Sequence, residues 1–127
     1  MTVLVDTHAL IWWLEAGKRL SRSAAAILAN RESRILVSAA VAWELAIKVN
    51  LGKIQSPVSM RDFSSVVQQQ RFVELAISVD HAVEAGLLPR HHGDPFDRVL
   101  IAQARALAIP IVSGDALFDR YGVERLW

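Results

Sequence analysis

Cysteine is absent from this 127-residue chain. That excludes disulfides, thiolate zinc sites and cysteine nucleophiles together, and it is compatible with a reducing compartment. Net charge is nearly absent too. Fourteen Lys and Arg against thirteen Asp and Glu leave +1, too little for gripping polyanions by bulk electrostatics, so any nucleic-acid contact has to be local. No apolar run approaches the roughly 20 residues of a membrane span. The opening Thr2–Val5 run is cut off by Asp6 and is too short for the core of an export signal. A soluble, cytoplasmic protein without membrane contact is expected. No Gly-x-Ser-x-Gly elbow occurs, which argues against a serine hydrolase. Internal repeats and low-complexity segments are missing as well.

What the chain does have is apolar mass. Hydrophobic residues make up 53% and charged residues 21%, and the mean hydropathy is +0.29, above the usual level for a soluble domain. The length suits one domain spanning 1–127 and is too short for two cores. The surplus is absorbed either by a sheet buried on both faces or by an interface with a second copy or a partner.

Strand and helix signals alternate along the chain. Thr2–Val5 reads as a strand and Ala9–Leu14 as a helix. Ser21 caps a helix reaching Asn30, Ile35–Val37 is a buried strand, and Ser38 caps the stretch Ala39–Leu51, which Gly52 closes. A loop over Lys53–Ser59 leads to a helix from about Arg61 to Gln70. Phe72–Ile77 reads as a third strand, and Ser78 caps a helix that Pro89 stops. In Asp94-Pro95-Phe96-Asp97 the first residue has an N-cap side chain and Pro95 fits the first helical position, opening a helix through Leu107. Ile109–Ser113 reads as a strand, Ala116–Tyr121 as a short helix and Val123–Trp127 as a last strand. Such alternation predicts an α/β fold, a mainly parallel sheet with helices on both faces.

Asp6, Glu44, Asp97 and Asp115 each fall where a strand has ended or a helix begins. In parallel sheets ligands bind beyond the carboxyl ends of the strands. Each acid has a plainer explanation. Asp97 with Asp94 can cap a helix, Glu44 can pair with Lys48 four residues on, and Asp6 and Asp115 can bond their own backbones as turn residues. All these explanations must hold at once to dispose of the set. Carboxylates converging on one point need a cation, and an all-oxygen donor set suits a hard one, Mg²⁺ or Mn²⁺. Such sites serve phosphoryl chemistry with a metal-activated water, so a phosphodiesterase is the expectation.

Beside the acids, Arg90, His91, His92 and Arg98 are candidates for holding substrate phosphates. The histidines as ligands of a softer metal compete with that reading, and a solvated loop is favoured over such a site. For Arg98, pairing with Asp94 at the surface is the plainer alternative. Trp12 and Trp13 lie about 100° apart on a helix, so either one serves an interface or a broadly buried helix takes both. Trp43 is expected in the core.

The chain resembles the PIN-domain family and, within it, the VapC-like toxins of bacterial type II toxin-antitoxin modules. The resemblance is carried by Val3-Leu4-Val5-Asp6-Thr7-His8, by Ser38-Ala39-Ala40-Val41-Ala42-Trp43-Glu44-Leu45 with Lys48, by Asp94-Pro95-Phe96-Asp97-Arg98 with Leu100-Ile101-Ala102-Gln103-Ala104, and by Ile111-Val112-Ser113-Gly114-Asp115 with Phe118. It implies a three-layer α/β/α sandwich and an endoribonuclease dependent on Mg²⁺ or Mn²⁺, with acidic ligands at Asp6, Glu44, Asp97 and Asp115. Thr7 and Ser113 would assist the metal shell or the phosphate, while Asp94 either binds metal or only caps its helix. A homodimer and a small antitoxin that blocks the site are implied as well. Two other classes compete. An aspartyl-nucleophile phosphatase wants a second Asp where His8 stands, and a non-catalytic binding module with an acidic pocket would lack metal-dependent RNA cleavage.

Overall fold

The structure is a computed structural model describing residues Met1–Trp127. Strand β1, Thr2–Val5, lies at the centre of a five-stranded sheet with β2 (Arg34–Ser38), β3 (Val73–Leu75), β4 (Ile111–Val112) and β5 (Arg125–Leu126) in the order β3-β2-β1-β4-β5. Every pairing is parallel. Leu4 stands beside Leu36 on one side and Ile111 on the other. Val3, Leu4 and Val5 are fully buried, as a central strand covered on both faces requires.

The connections fix the layers. From β1 the chain moves outward through α1 (Thr7–Leu14) and α2 (Arg22–Ala29) to β2, then through α3 (Ala39–Asn50) and α4 (Phe63–Gln69) to β3. It then returns through α5 (Val79–Leu87) and α6 (Pro95–Leu107) to β4 on the far side of β1. Right-handed crossovers in opposite directions place their helices on opposite faces, which gives the three-layer α/β/α sandwich. The strand order therefore reverses between β1 and β4, and the crevice beyond their carboxyl ends is the natural binding position.

Several boundaries differ from the sequence expectation for local reasons. Helix α1 begins at Thr7, because Asp6 is its N-cap and accepts from the Ala9 N–H at 2.8 Å. Pro110 has no N–H, so the regular ladder starts at Ile111, although the Pro110 carbonyl still accepts from Leu4 N at 2.9 Å. Edge strands β3 and β5 keep only the residues that pair. A 3₁₀ turn over Met60–Asp62 precedes α4, and Ala116–Tyr121 is 3₁₀ rather than α. Trp13 donates its indole N–H to Gln70 at 2.9 Å and packs on Phe72, whereas Trp12 turns toward Trp127. Trp43 is not a core residue: it is 57% exposed and meets Phe96 edge-on at 5.1 Å. Its neighbours Glu44 and Leu45 lie one turn on from the buried Ala40 and Val41 and share their inward face, which leaves Trp43 on the outer side of α3. No helix is long and apolar enough to cross a membrane.

Candidate active site

Asp6 ends β1 and Ser113-Gly114-Asp115 follow β4, so both acids stand at the reversal of strand order. The Asp6 N–H donates to Val112 O at 3.1 Å, which locks the two strand ends side by side. Three of the acids turn out to be caps. Asp6 Oδ1 accepts from Ala9 N, Asp115 Oδ1 from Leu117 N at 2.9 Å, and Asp94 Oδ1 from both Phe96 N at 2.9 Å and Asp97 N at 3.0 Å. The plain explanations for these residues hold, yet they do not exhaust them. In each, Oδ2 carries no backbone hydrogen bond.

Asp97 differs from the other three aspartates. It lies one turn into α6, half-buried, with no backbone donor on its carboxylate. Burial pushes its pKa up to about 7, with further upward pushes from Asp94, Glu44, Asp6 and Asp115. All five acids thus share one electrostatic neighbourhood. Asp6 is raised as well, first by burial and then by Asp115, against the pull of the Ser113 hydroxyl, the Ala9 N–H and His8.

Glu44 is buried on α3 at 3% exposure, so its charge needs local partners. It has two: the Thr7 hydroxyl donates to Oε1 at 2.6 Å, and Lys48 Nζ meets Oε2 at 2.5 Å. Glu44 in turn raises the Lys48 pKa by that hydrogen bond. The helical i,i+4 pair is therefore present, inside the site rather than on a solvated face. As the side chains stand, no three acidic or histidine groups are close enough to enclose a metal ion. In kind the donors fit a hard cation: they are all oxygen, they repel one another, and each of the five keeps at least one oxygen free of backbone bonds.

The basic candidates divide. Arg98 spends its guanidinium on the carbonyls of Leu88 at 2.8 Å, Pro89 at 3.0 Å, His92 at 3.3 Å and Gly86 at 3.4 Å. It tethers the end of α5 to the start of α6 and makes no pair with Asp94. His92 is half-buried: Nδ1 lies 2.7 Å from the Tyr121 hydroxyl, and Nε2 lies 3.6 Å from Asp97 Oδ2 without a hydrogen-bond partner. His91 is exposed and, like His92, sits edge-on to Tyr121. Arg90 is exposed at the rim of a hollow shared with His92 and Arg98.

An open cleft of about 540 Å³ adjoins the acids, bounded by Asp6, His8, Trp12, Arg19, Asp115 and Trp127. A more apolar hollow of about 420 Å³ lies between α3, α4 and β3, lined by Val37, Ala42, Phe63 and Leu75, and none of the five acids borders it. Of the two, only the first is lined by acids of the set, Asp6 and Asp115.

The PIN-domain profile matches residues 3–124. The chain belongs to the PIN-domain family. It is similar to ribonuclease VapC22 of Mycobacterium tuberculosis, 33% identical over 106 residues that cover 81% of this chain and 78% of that protein. In fold it is similar to VapC20 of M. tuberculosis, a toxin that cleaves the sarcin-ricin loop, with a TM-score of 0.70 and 18% identity over 95% of each chain. A toxin-antitoxin complex from Klebsiella pneumoniae matches with a TM-score of 0.61 and 18% identity, over 90% of this chain and 87% of that one.

Sequence reasoning on this PIN domain missed three participants. Tyr121 lies 29 positions from the His92 it contacts, and Trp127 and Arg19 reach the cleft from opposite ends of the chain. No local pattern links such residues. Lys48 was visible as the partner of Glu44, but its place among the acids depends on how α3 is seated.

Proposed function

We propose that this PIN domain is an endoribonuclease, the toxin of a toxin-antitoxin pair, hydrolysing phosphodiester bonds at the acidic cluster with Mg²⁺ or Mn²⁺. The observation that carries this reading is the convergence of the acids, with Asp6 and Asp115 at the adjoining ends of β1 and β4 and Asp97 within reach of their charge. A carboxyl pushed up to about 7 by burial and four neighbouring acids is arranged for a positive charge to arrive. The cation held by Asp6, Asp97 and Asp115, with Glu44 or Asp94 completing the set, would supply an acidified water and neutralise charge on the phosphate.

The chain's own groups do the rest. Thr7 and Lys48 hydrogen-bond the two oxygens of the buried Glu44, and the Ser113 hydroxyl favours the charged form of Asp6. His92 is oriented by Tyr121 with Nε2 toward Asp97, where it can hold or release a proton beside the reacting phosphate. VapC22 bears the name ribonuclease, which supports RNA as the substrate. The toxin-antitoxin complex of similar fold supports a small antitoxin as the partner. A homodimer would cover part of the exposed apolar surface.

Cleavage of a mixed RNA pool by the antitoxin-free protein, with Mg²⁺ or Mn²⁺ and again with EDTA, tests this reading alongside Asp6→Asn. Cleavage lost in both controls is expected. A non-catalytic acidic pocket is the rival, favoured by the closure of Glu44 by Lys48. Absence of cleavage from folded protein under either metal would select it.

A further inference from the structure

Four side chains around the cleft lie outside the acidic set, although His8 bears on Asp6 from its rim. Trp12 and Trp127 are both half-buried, with ring centroids 5.9 Å apart at 59°. The Arg19 guanidinium carbon lies 6.0 Å from the Trp12 ring, and His8 stands against the same ring at 5.7 Å. Arg19 and His8 are exposed.

Trp127 is anchored by the backbone of the site itself. A Cβ at Gly114 would lie 3.0 Å from Trp127 Cε2 and 3.1 Å from Cζ2. The absence of that carbon lets the indole lie flat on the chain between Ser113 and Asp115. Ser113 N also donates to Leu126 O at 3.2 Å, fixing the residue before the indole. Trp12 follows Asp6 by less than two helical turns. An aromatic wall therefore begins immediately beside two acids of the cluster, and its outer edge carries a cation.

We propose that this cleft is a stacking subsite for an unpaired RNA base next to the cleaved bond, with Trp127 and Trp12 as its aromatic wall and Arg19 meeting the adjoining phosphate. The inference rests on the ribonuclease reading and adds which side chains of this chain receive the substrate beside the cleaved bond. Indole faces accept any base, and a base can reach them only when it has left a helix. Arg19 supplies the local cationic contact that a chain of net charge +1 cannot supply in bulk. A polyanion also explains a cation placed beyond two carboxylates, since its phosphates need neutralising on both sides of the base.

The test is titration of the full chain carrying Asp97→Asn, so that nothing is cut, with a mixed-sequence single-stranded RNA and with the same sequence as a blunt duplex in Mg²⁺. Affinity and tryptophan fluorescence are followed. Single strands should quench the fluorescence and duplex should not. Trp127→Leu should weaken binding about tenfold, with Trp127→Phe restoring most of it. Arg19→Gln, a substitution at an exposed position that leaves the fold intact, should weaken binding severalfold and flatten its salt dependence. Trp43→Phe, outside the cleft, should keep the quench.

Unchanged affinity in both Arg19→Gln and folded Trp127→Leu overturns the subsite, as does equal binding of duplex. Loss of a protein partner in place of RNA by those variants overturns it too and makes the cleft a protein-docking site. Parallel cleavage assays on the otherwise native chain separate the two readings. Cleavage with wild-type affinity in the variants removes the subsite and leaves the ribonuclease. A protein that never cleaves yet shows the full stacking signature removes the ribonuclease and leaves a single-strand-binding cleft.

Discussion

Asp97 combines a half-buried carboxyl, no backbone donor and four acidic neighbours, so its protonation reports on the whole cluster. In the folded chain its pKa is about 7 against the ordinary 3.8. Between those values the native state binds more protons than the unfolded state, so stability falls as pH rises and the contribution is gone above pH 7. The metal-free protein should melt at a lower temperature at pH 8 than at pH 5, and Asp97→Asn should narrow that gap; an unchanged gap would show that another group sets it. The same substitution should abolish RNA cleavage while leaving the fold intact, since the α6 cap is made by Asp94 and Asn is a poor ligand for a hard cation. Retained cleavage by Asp97→Asn would remove the residue from the site.

At the scale of elements, the start of α6 decides how Asp97 is presented. Asp94 satisfies two of the helix's unpaired N–H groups, and Arg98 ties the preceding loop to the end of α5 through four carbonyls. Asp94→Ala should cost about 1 kcal/mol of stability, read from chemical denaturation. If Asp94 only caps, kcat falls far less than in Asp97→Asn, and an equal fall would make it a ligand. Arg98→Ala should cost about 2 kcal/mol, because hydrogen bonds from a charged donor are lost together. Faster amide exchange over residues 86–93 is the expected sign, and native-like protection there would show that the loop holds without it.

For the molecule as a whole, the apolar surplus of the composition has two destinations. Much of it fills the core on both faces of the sheet, with Val3, Leu4 and Val5 of β1 and both residues of β4 fully buried. The remainder emerges as stripes. Val79, Val83 and Leu87 recur every four residues on α5 at 81%, 52% and 75% exposure, and Trp43, Ile47 and Leu51 do the same along α3 and its C-cap. Stripes at helical spacing that face outward are interface material. If the proposed homodimer forms through α5, Val83→Glu with Leu87→Glu should lower the mass found by sedimentation from dimer to monomer, and unaltered self-association would remove α5 from any interface.

The sequence alone was sufficient for whatever is set by residues near one another in the chain. The alternation of β-branched runs with capped helices reads directly as a parallel α/β sheet. Asp94-Pro95 marks the start of α6 because capping and the fixed φ of proline are local effects. The acids were visible because charged residues at strand ends conflict with the apolar pattern around them. Tertiary structure decided which of these local features act together. Asp6 and Asp115 meet only because β4 returns beside β1, and Glu44 is held by Thr7 only because α3 crosses α1. The inward turn of Glu44 that exposes Trp43, and the approach of Trp127 to Gly114 beside Trp12, depend on contacts across tens of residues. Burial and mutual repulsion among the acids raise the Asp97 pKa, and both exist only once the chain has closed on itself.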